Sequence, residues 1–276
     1  MTTKRFLLSL TLVVASFTFG HAQWKKIDKT KLLNSATKTV EALTLTDEQM
    51  AGYVKEYTTW MDANNPLCSL EDSDPGKKAV AQRLDSIIAT MPQIKEVHVD
   101  IQAYYVSDVN AFACPDGTIR VFAGLMQEMT DDQILGIIGH ELGHIVHKDS
   151  KKAFQKALLG SAMKDAISAS GSSIAKLTDS DLGQLAEAFT AAQYSQKAEY
   201  AADDFGYELL ELAGKDPNAM AEALGVLVKL EQAAKASGTS SKLNQLFASH
   251  PNSEKRAQVL IQKYKKKNKN LNKTKP

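Results

Sequence analysis

The chemistry in this chain is concentrated in Gly139-His140-Glu141-Leu142-Gly143-His144. On a helix, residues four apart share one face, about one turn (~6 Å) along the axis. His140 and His144 then aim two imidazoles at one point, which suits a zinc ion with Zn–N distances of ~2.0–2.1 Å. Glu141 is rotated about 100° from His140. It sits beside the metal without binding it, where a base for a zinc-bound water belongs.

Two histidines do not complete such a site, because catalytic zinc takes three protein ligands and keeps one position open. The extended motif that ends in Gly-x-x-His is ruled out, since His147 stands at its Gly position and Ser150 at its last His. The other solution is a carboxylate from a later helix. Glu199, in Lys197-Ala198-Glu199-Tyr200-Ala201-Ala202-Asp203-Asp204, is the best candidate. Asp203 lies one turn further on the same face, placed to accept a hydrogen bond from the outer ring nitrogen of His140 or His144. His147 points the same way as the pair but farther down. It reads as a buried or solvent-facing residue near the helix end, with a competing ligand as the alternative. His250, before Pro251, and Arg256 on the next helix are candidates to line the pocket and stabilise an oxyanion. A fourth protein ligand, His250 or His147, would instead mark a structural zinc or a latched protease. His98 reads as structural.

These residues need elements to hold them. Thr130-Asp131-Asp132-Gln133 is a capping box that opens the histidine helix. Upstream, Thr46 caps a helix from Asp47 to about Ala63, and Lys77 to Met91 is amphipathic, with Val80, Leu84, Ile87 and Ile88 at helical spacing. The period then changes. Val97–Val106, Asn110–Ala113 and Thr118–Ala123 read as strands of a small sheet, the last two joined as a hairpin through Pro115-Asp116-Gly117. After Ser150 the pattern is helical throughout: Lys151–Ala169, a long region from Thr178 to Leu212, a helix from Pro217 to Ala236, and Ser253 to about Lys263. The predicted fold is α+β, mainly α, with a small sheet beside the histidine helix.

The chain has 276 residues, 43% of them hydrophobic, and a formal charge of +1. That supports one substantial core and argues against nucleic acid as a partner. Residues 1–22 read as a secretory signal cleaved before Gln23: Lys4 and Arg5, an apolar run from Phe6 to Phe19, then Gly20-His21-Ala22. With no Cys at the cleavage point, no lipid anchor is expected. Residues 23–75 read as an N-terminal helical arm, 76–262 as the catalytic domain and 263–276 as a Lys-rich disordered tail able to hold weak contact with an anionic membrane surface. Export favours a disulfide between Cys68 and Cys114, with two free buried thiols as the alternative.

The chain resembles a family of zinc endopeptidases that includes HtpX, the CAAX prenyl proteases and the mitochondrial Oma proteases, and within it the periplasmic LoiP-like branch. The resemblance is carried in order by Asn110-Ala111-Phe112-Ala113, Asp116-Gly117-Thr118-Ile119-Arg120-Val121, Gly124-Leu125-Met126, the histidine motif, Glu199-Tyr200-Ala201-Ala202-Asp203, and Ser249-His250-Pro251 with Arg256. It implies a zincin-like fold, one Zn2+ per chain held by His140, His144 and Glu199, and Glu141 as catalytic residue. It also implies that Asp203, His250 and Arg256 stand near the site. It departs from HtpX in having no membrane helices and from LoiP-like lipoproteins in having no lipobox Cys. The expectation is an exported, periplasmic endopeptidase for unfolded or misassembled proteins. Substrate would extend along an edge strand at Asn110, Ala111, Phe112 and Ala113. The alternative is a zinc-bearing, chaperone-like or latched envelope protein.

Overall fold

Alternation along three short strands sets the architecture. The strands are β1 (Asp100–Tyr104), β2 (Ala111–Ala113) and β3 (Thr118–Phe122), in the order β1-β3-β2, with β1 parallel and β2 antiparallel to β3. Side chains alternate across a sheet. Ala103, Ala111, Ala113, Ile119 and Val121 therefore enter one core, while Tyr104, Phe112 and Phe122 enter another. The structure is a computed structural model that describes residues 45–95, 97–160, 176–237 and 249–273, all in one compact unit. The expected signal at 1–22, the start of the arm, and the small-residue break at 168–173 lie outside the described residues.

The helices are α1 (Asp47–Asn64), α2 (Pro75–Ile88), α3 (Ala123–Glu128), α4 (Asp131–Val146), α5 (Asp149–Gly160), α6 (Asp179–Thr190), α7 (Gln196–Leu212), α8 (Asn218–Ser237) and α9 (Ser253–Lys273). The architecture is thus mainly helical α+β, as expected. The first core lies between the sheet and α4, α7 and α8, through Ile134, Ile138, Leu142, Leu210 and Leu224. The second is aromatic. Tyr57 of α1 meets Phe154 of α5 at 5.5 Å and Phe189 of α6 at 5.7 Å between ring centroids, both edge-on. α1 is therefore built into the protein and does not stand apart as an arm. Among the described residues no helix is long and apolar enough to cross a membrane.

One buried charge ties α1 to the sheet. Arg120, in the middle of β3, has a side chain only 3% exposed. Its Nε and Nη2 donate to Asp62 at 2.9 and 3.0 Å, and its Nη1 donates to Asp100 at 3.0 Å. The Tyr104 hydroxyl donates to Asp62 at 2.6 Å. Burial raises the Asp62 carboxyl, but the Arg120 and Tyr104 hydrogen bonds and the Arg120 charge outweigh it and hold it below the usual carboxylate range. A folded-state value below the unfolded one, ~3.9, means stability that is present above that pH and lost as pH falls through the folded value. Asp62→Ala is expected to cost about 2–4 kcal/mol, because it strips a buried guanidinium of its bidentate partner. Urea unfolding at pH 7 reads this, and the difference from wild type should shrink as the pH is taken below about 4.

Four expectations are corrected. The strand at Val97–Val106 is paired only over Asp100–Tyr104. The long helix from Thr178 to Leu212 is two helices, because Ser195 caps α7 by accepting from the Ala198 N–H and the chain turns between Ala191 and Ser195. The tail from Lys263 is not loose as far as Lys273, since α9 continues through it. There Lys263 pairs with Asp204 at 2.7 Å, and Lys267 pairs with Glu211. Cys68 and Cys114 are buried free thiols, packed in the first and second cores respectively.

Candidate metal centre

The centre depends on how closely two helices approach. Thr130 accepts from the Gln133 N–H and Gln133 returns the bond, while Asp131 and Asp132 favour the positive end of α4. From this start α4 runs buried on all sides, so its histidines face protein. α7 crosses it at backbone contact. A Cβ added to Gly143 would stand 2.8 Å from Ala202 Cα, and one added to Gly139 would stand 2.8 Å from Gly206 Cα. Only small residues at these four positions allow the crossing, and the crossing carries Glu199 to the histidines.

The donor atoms converge. His140 Nε2 and His144 Nε2 are 3.1 Å apart, and Glu199 lies 3.4 Å from His144 Nε2 and 3.7 Å from His140 Nε2. His250 Nδ1 joins them at 3.1 Å from His140 Nε2 and 3.1 Å from Glu199 Oε1. One atom from each of the four lies within 4.8 Å of every other. Donors at ~2.0–2.1 Å around a tetrahedral ion stand ~3.3–3.4 Å apart, so these spacings suit zinc. The donor chemistry agrees. His140 Nδ1 faces Asp203 Oδ1 at 2.9 Å, which places the ring proton there and turns a lone pair inward from Nε2. The His140, His144, Glu199 and His250 cluster is thus able to hold a metal ion.

Around it, each group is set by a neighbour. Arg256 is 1% exposed and donates from Nε to Asp203 Oδ2 at 2.8 Å, while its Nη1 pairs with Glu199. It stands behind the carboxylates, and its guanidinium is committed to them. Glu141 points a buried Oε1, which accepts no hydrogen bond, toward His250 Nε2 at 3.5 Å. Burial lifts the Glu141 carboxyl above its ordinary value. Burial also pushes His140 down to about 3, with Asp203 working against it, so the ring is neutral. Glu199 is held far below the carboxylate range: burial opposes the charge, and His250, His144 and His140 more than restore it.

A cleft opens on this group. Asn110, Ala111, Phe112 and Ala113 line it together with Glu141 and His250. Its free volume, about 20 Å³, is room for a water and not for a peptide side chain. The structure brings Asn110–Ala113, Glu141 and His250 to one cleft, with Asp203 and Arg256 behind it. His147 is exposed and turned to Phe205 at 6.3 Å between ring centroids, away from the donors. His98 is exposed.

Two neighbours of His144 escaped sequence reasoning. Asp149 lies 3.7 Å from His144 Nδ1. It is brought back by a turn in which Lys148 takes φ +61°, a value nothing in the residue's type announces. Tyr194 stacks on the His144 ring. The Ser195 cap, with the break in helical pattern that it implies, was the available signal.

Comparison with known proteins gives the same answer as the geometry. The model of peptidase family M48 matches residues 77–263. Metalloprotease LoiP of Escherichia coli (strain K12) is 34% identical over 85% of this chain and 88% of its own length. Metalloprotease YcaL of the same organism is 32% identical over 94% of this chain and 96% of its own. Protease HtpX of Cellvibrio japonicus (strain Ueda107) is 29% identical over 58% and 64%.

Proposed function

Since the chain belongs to peptidase family M48 and is a metalloendopeptidase, we propose that it is a zinc enzyme of the cell envelope that hydrolyses unfolded or misassembled proteins. The observation that carries the reading is the convergence of His140, His144 and Glu199 beside the free carboxylate oxygen of Glu141. Bound there, zinc would supply a Lewis acid for the scissile carbonyl and would lower the pKa of a water toward neutrality. Glu141, with its Oε1 free, is placed to take the proton of an attacking water as the water oxygen adds to the carbonyl carbon. Glu141 then delivers the proton to the amine nitrogen as the C–N bond breaks. Asp203 keeps the His140 proton on Nδ1, and Arg256 holds Glu199 and Asp203 in place from behind. With Arg256 committed there, His250 is the cleft-facing residue for the oxyanion.

β2 supports the substrate reading. It is an edge strand, and the Asn110, Phe112 and Cys114 register is spent on β3. The alternate backbone groups at Ala111 and Ala113 point to the open edge, although the Ala111 N–H already donates to Asn110 Oδ1 at 2.9 Å. An extended segment of substrate added there is read by its backbone, which fits broad action on unfolded chains. The proposed export signal at residues 1–22 and a contact of the Lys-rich C-terminal stretch with anionic lipid go with this setting.

A second reading is favoured by one observation, the fourth donor. His250 Nδ1 lies among the other three donors, so a metal held there would have four protein donors; the described form would then be closed, and the enzyme would be regulated by withdrawal of His250. The experiment measures zinc content and casein cleavage of wild type and His250→Ala, with and without chelator. About one zinc per chain and chelator-sensitive cleavage are expected; the variant is slower than wild type if His250 holds the oxyanion, and at least as fast on its first turnovers if His250 closes the site. Cleavage that survives complete removal of metal would defeat the zinc reading, and a His250→Ala variant slower from the outset would defeat the closure.

A further inference from the structure

The two histidines of α4 are oriented by different means. His140 has a carboxylate at its outer nitrogen, Asp203 Oδ1 at 2.9 Å. His144 Nδ1 is buried with no hydrogen bond, and Asp149 stands off at 3.7 Å. With Asp149 only at ion-pair distance, the outer nitrogen of His144 is held less firmly than that of His140, and metal affinity falls when ligand rings are not fixed. What His144 has is a surface. The Tyr194 ring lies over it with centroids 3.9 Å apart and planes 14° from parallel.

Tyr194 is itself held from several sides. It belongs to the five-residue turn between α6 and α7, whose far end is pinned by the Ser195 cap. Its backbone N–H donates to Ser249 O at 3.4 Å, and its ring packs on the second core. Its hydroxyl lies beside the buried Ser150. A flat ring anchored this way resists rotation of the imidazole beneath it, because any tilt drives an edge into the aromatic face.

We propose that Tyr194 is a positioning residue for His144: its ring face holds the imidazole in the plane that turns Nε2 toward His140 and Glu199. This rests on the metal reading above. The ring, and not the hydroxyl, does the positioning, so Tyr194→Phe is silent while an apolar residue of similar bulk without a flat face is not.

The test uses the full chain and reads metal affinity by competition with a chromophoric zinc chelator, alongside the visible absorption of the cobalt(II) form. Tyr194→Phe is expected within about twofold of wild type, with a superimposable cobalt spectrum. Tyr194→Leu is expected to bind about tenfold more weakly, with a shifted cobalt band reporting a changed ligand field. Tyr194→Met fills the space without a ring face and serves in its place if the Leu variant does not fold. A Leu or Met variant with wild-type affinity and spectrum overturns the inference while leaving the zinc reading intact. So does a Phe variant that loses as much as they do. A wild type that takes up no metal overturns both.

Discussion

Glu141→Gln is expected to lower the rate of casein cleavage by about 10³-fold while the protein keeps its zinc. The amide retains the shape of the carboxylate and loses its capacity to accept and return a proton, and general acid–base catalysis is worth roughly 10²–10⁴. The metal is retained because Glu141 is not among the converging donors: its Oε1 faces His250 Nε2 at 3.5 Å. The residue is 1% exposed, and burial already favours its uncharged form, so a neutral amide there costs the fold little. Zinc content, thermal unfolding and steady-state cleavage are measured on the same preparation. Undiminished cleavage removes Glu141 as the base. Lost zinc would show instead that its carboxylate belongs to the coordination sphere.

The second large effect is expected at a residue that carries no side chain. Gly143→Val places branched carbon where even a Cβ would stand 2.8 Å from Ala202 Cα and 3.0 Å from Phe205 Cβ. The obstacle is backbone, which cannot rotate away. α7 must therefore shift off α4, and Glu199 moves with it from its place 3.4 Å from His144 Nε2. Displacing a ligand this way is expected to weaken zinc binding by more than the 10–100-fold that loss of an outlying partner brings, and overpacking adds about 1–3 kcal/mol of destabilisation. Gly225→Ala in α8 is the control, because a Cβ there meets nothing within 4 Å. It should bind zinc as wild type and gain up to about 1 kcal/mol in helix stability. Equal zinc affinity in Gly143→Val and wild type would mean that the helix crossing does not set the ligand geometry.

Much of the site was legible because its signals are local. The capping box at Thr130 fixes where α4 begins, and the four-residue spacing of His140 and His144 fixes their shared face. The spacing of Glu199 and Asp203 fixes a second face, and the chemistry of zinc then requires the two faces to meet. What could not be read were the features set by tertiary fit. Arg120 sits between Ile119 and Val121, where alternation predicts a polar side chain facing solvent, yet it is 3% exposed, and only the positions of Asp62 and Asp100 explain it. The helical pattern from Thr178 to Leu212 runs on through the Ala191–Ser195 turn, so propensity gave one helix where the Ser195 cap and the Tyr194 stack enforce two. The Lys-rich stretch after Lys263 has the composition of a solvated end, yet partners on α7, Asp204 and Glu211, keep it helical. Gly139 and Gly143 were visible as letters in the motif, and their role in admitting α7 was not.

The order of the donors along the chain has a consequence for when the enzyme becomes dangerous. His140 and His144 come first, Glu199 follows beyond α5 and α6, and Arg256, which steadies Glu199 and Asp203, sits on α9. A nascent polypeptide still emerging in its N-to-C direction holds two imidazoles and no cage. A chain cut short before Arg256 lacks the guanidinium that steadies Glu199 and Asp203, and is expected to cleave casein more slowly than the full chain.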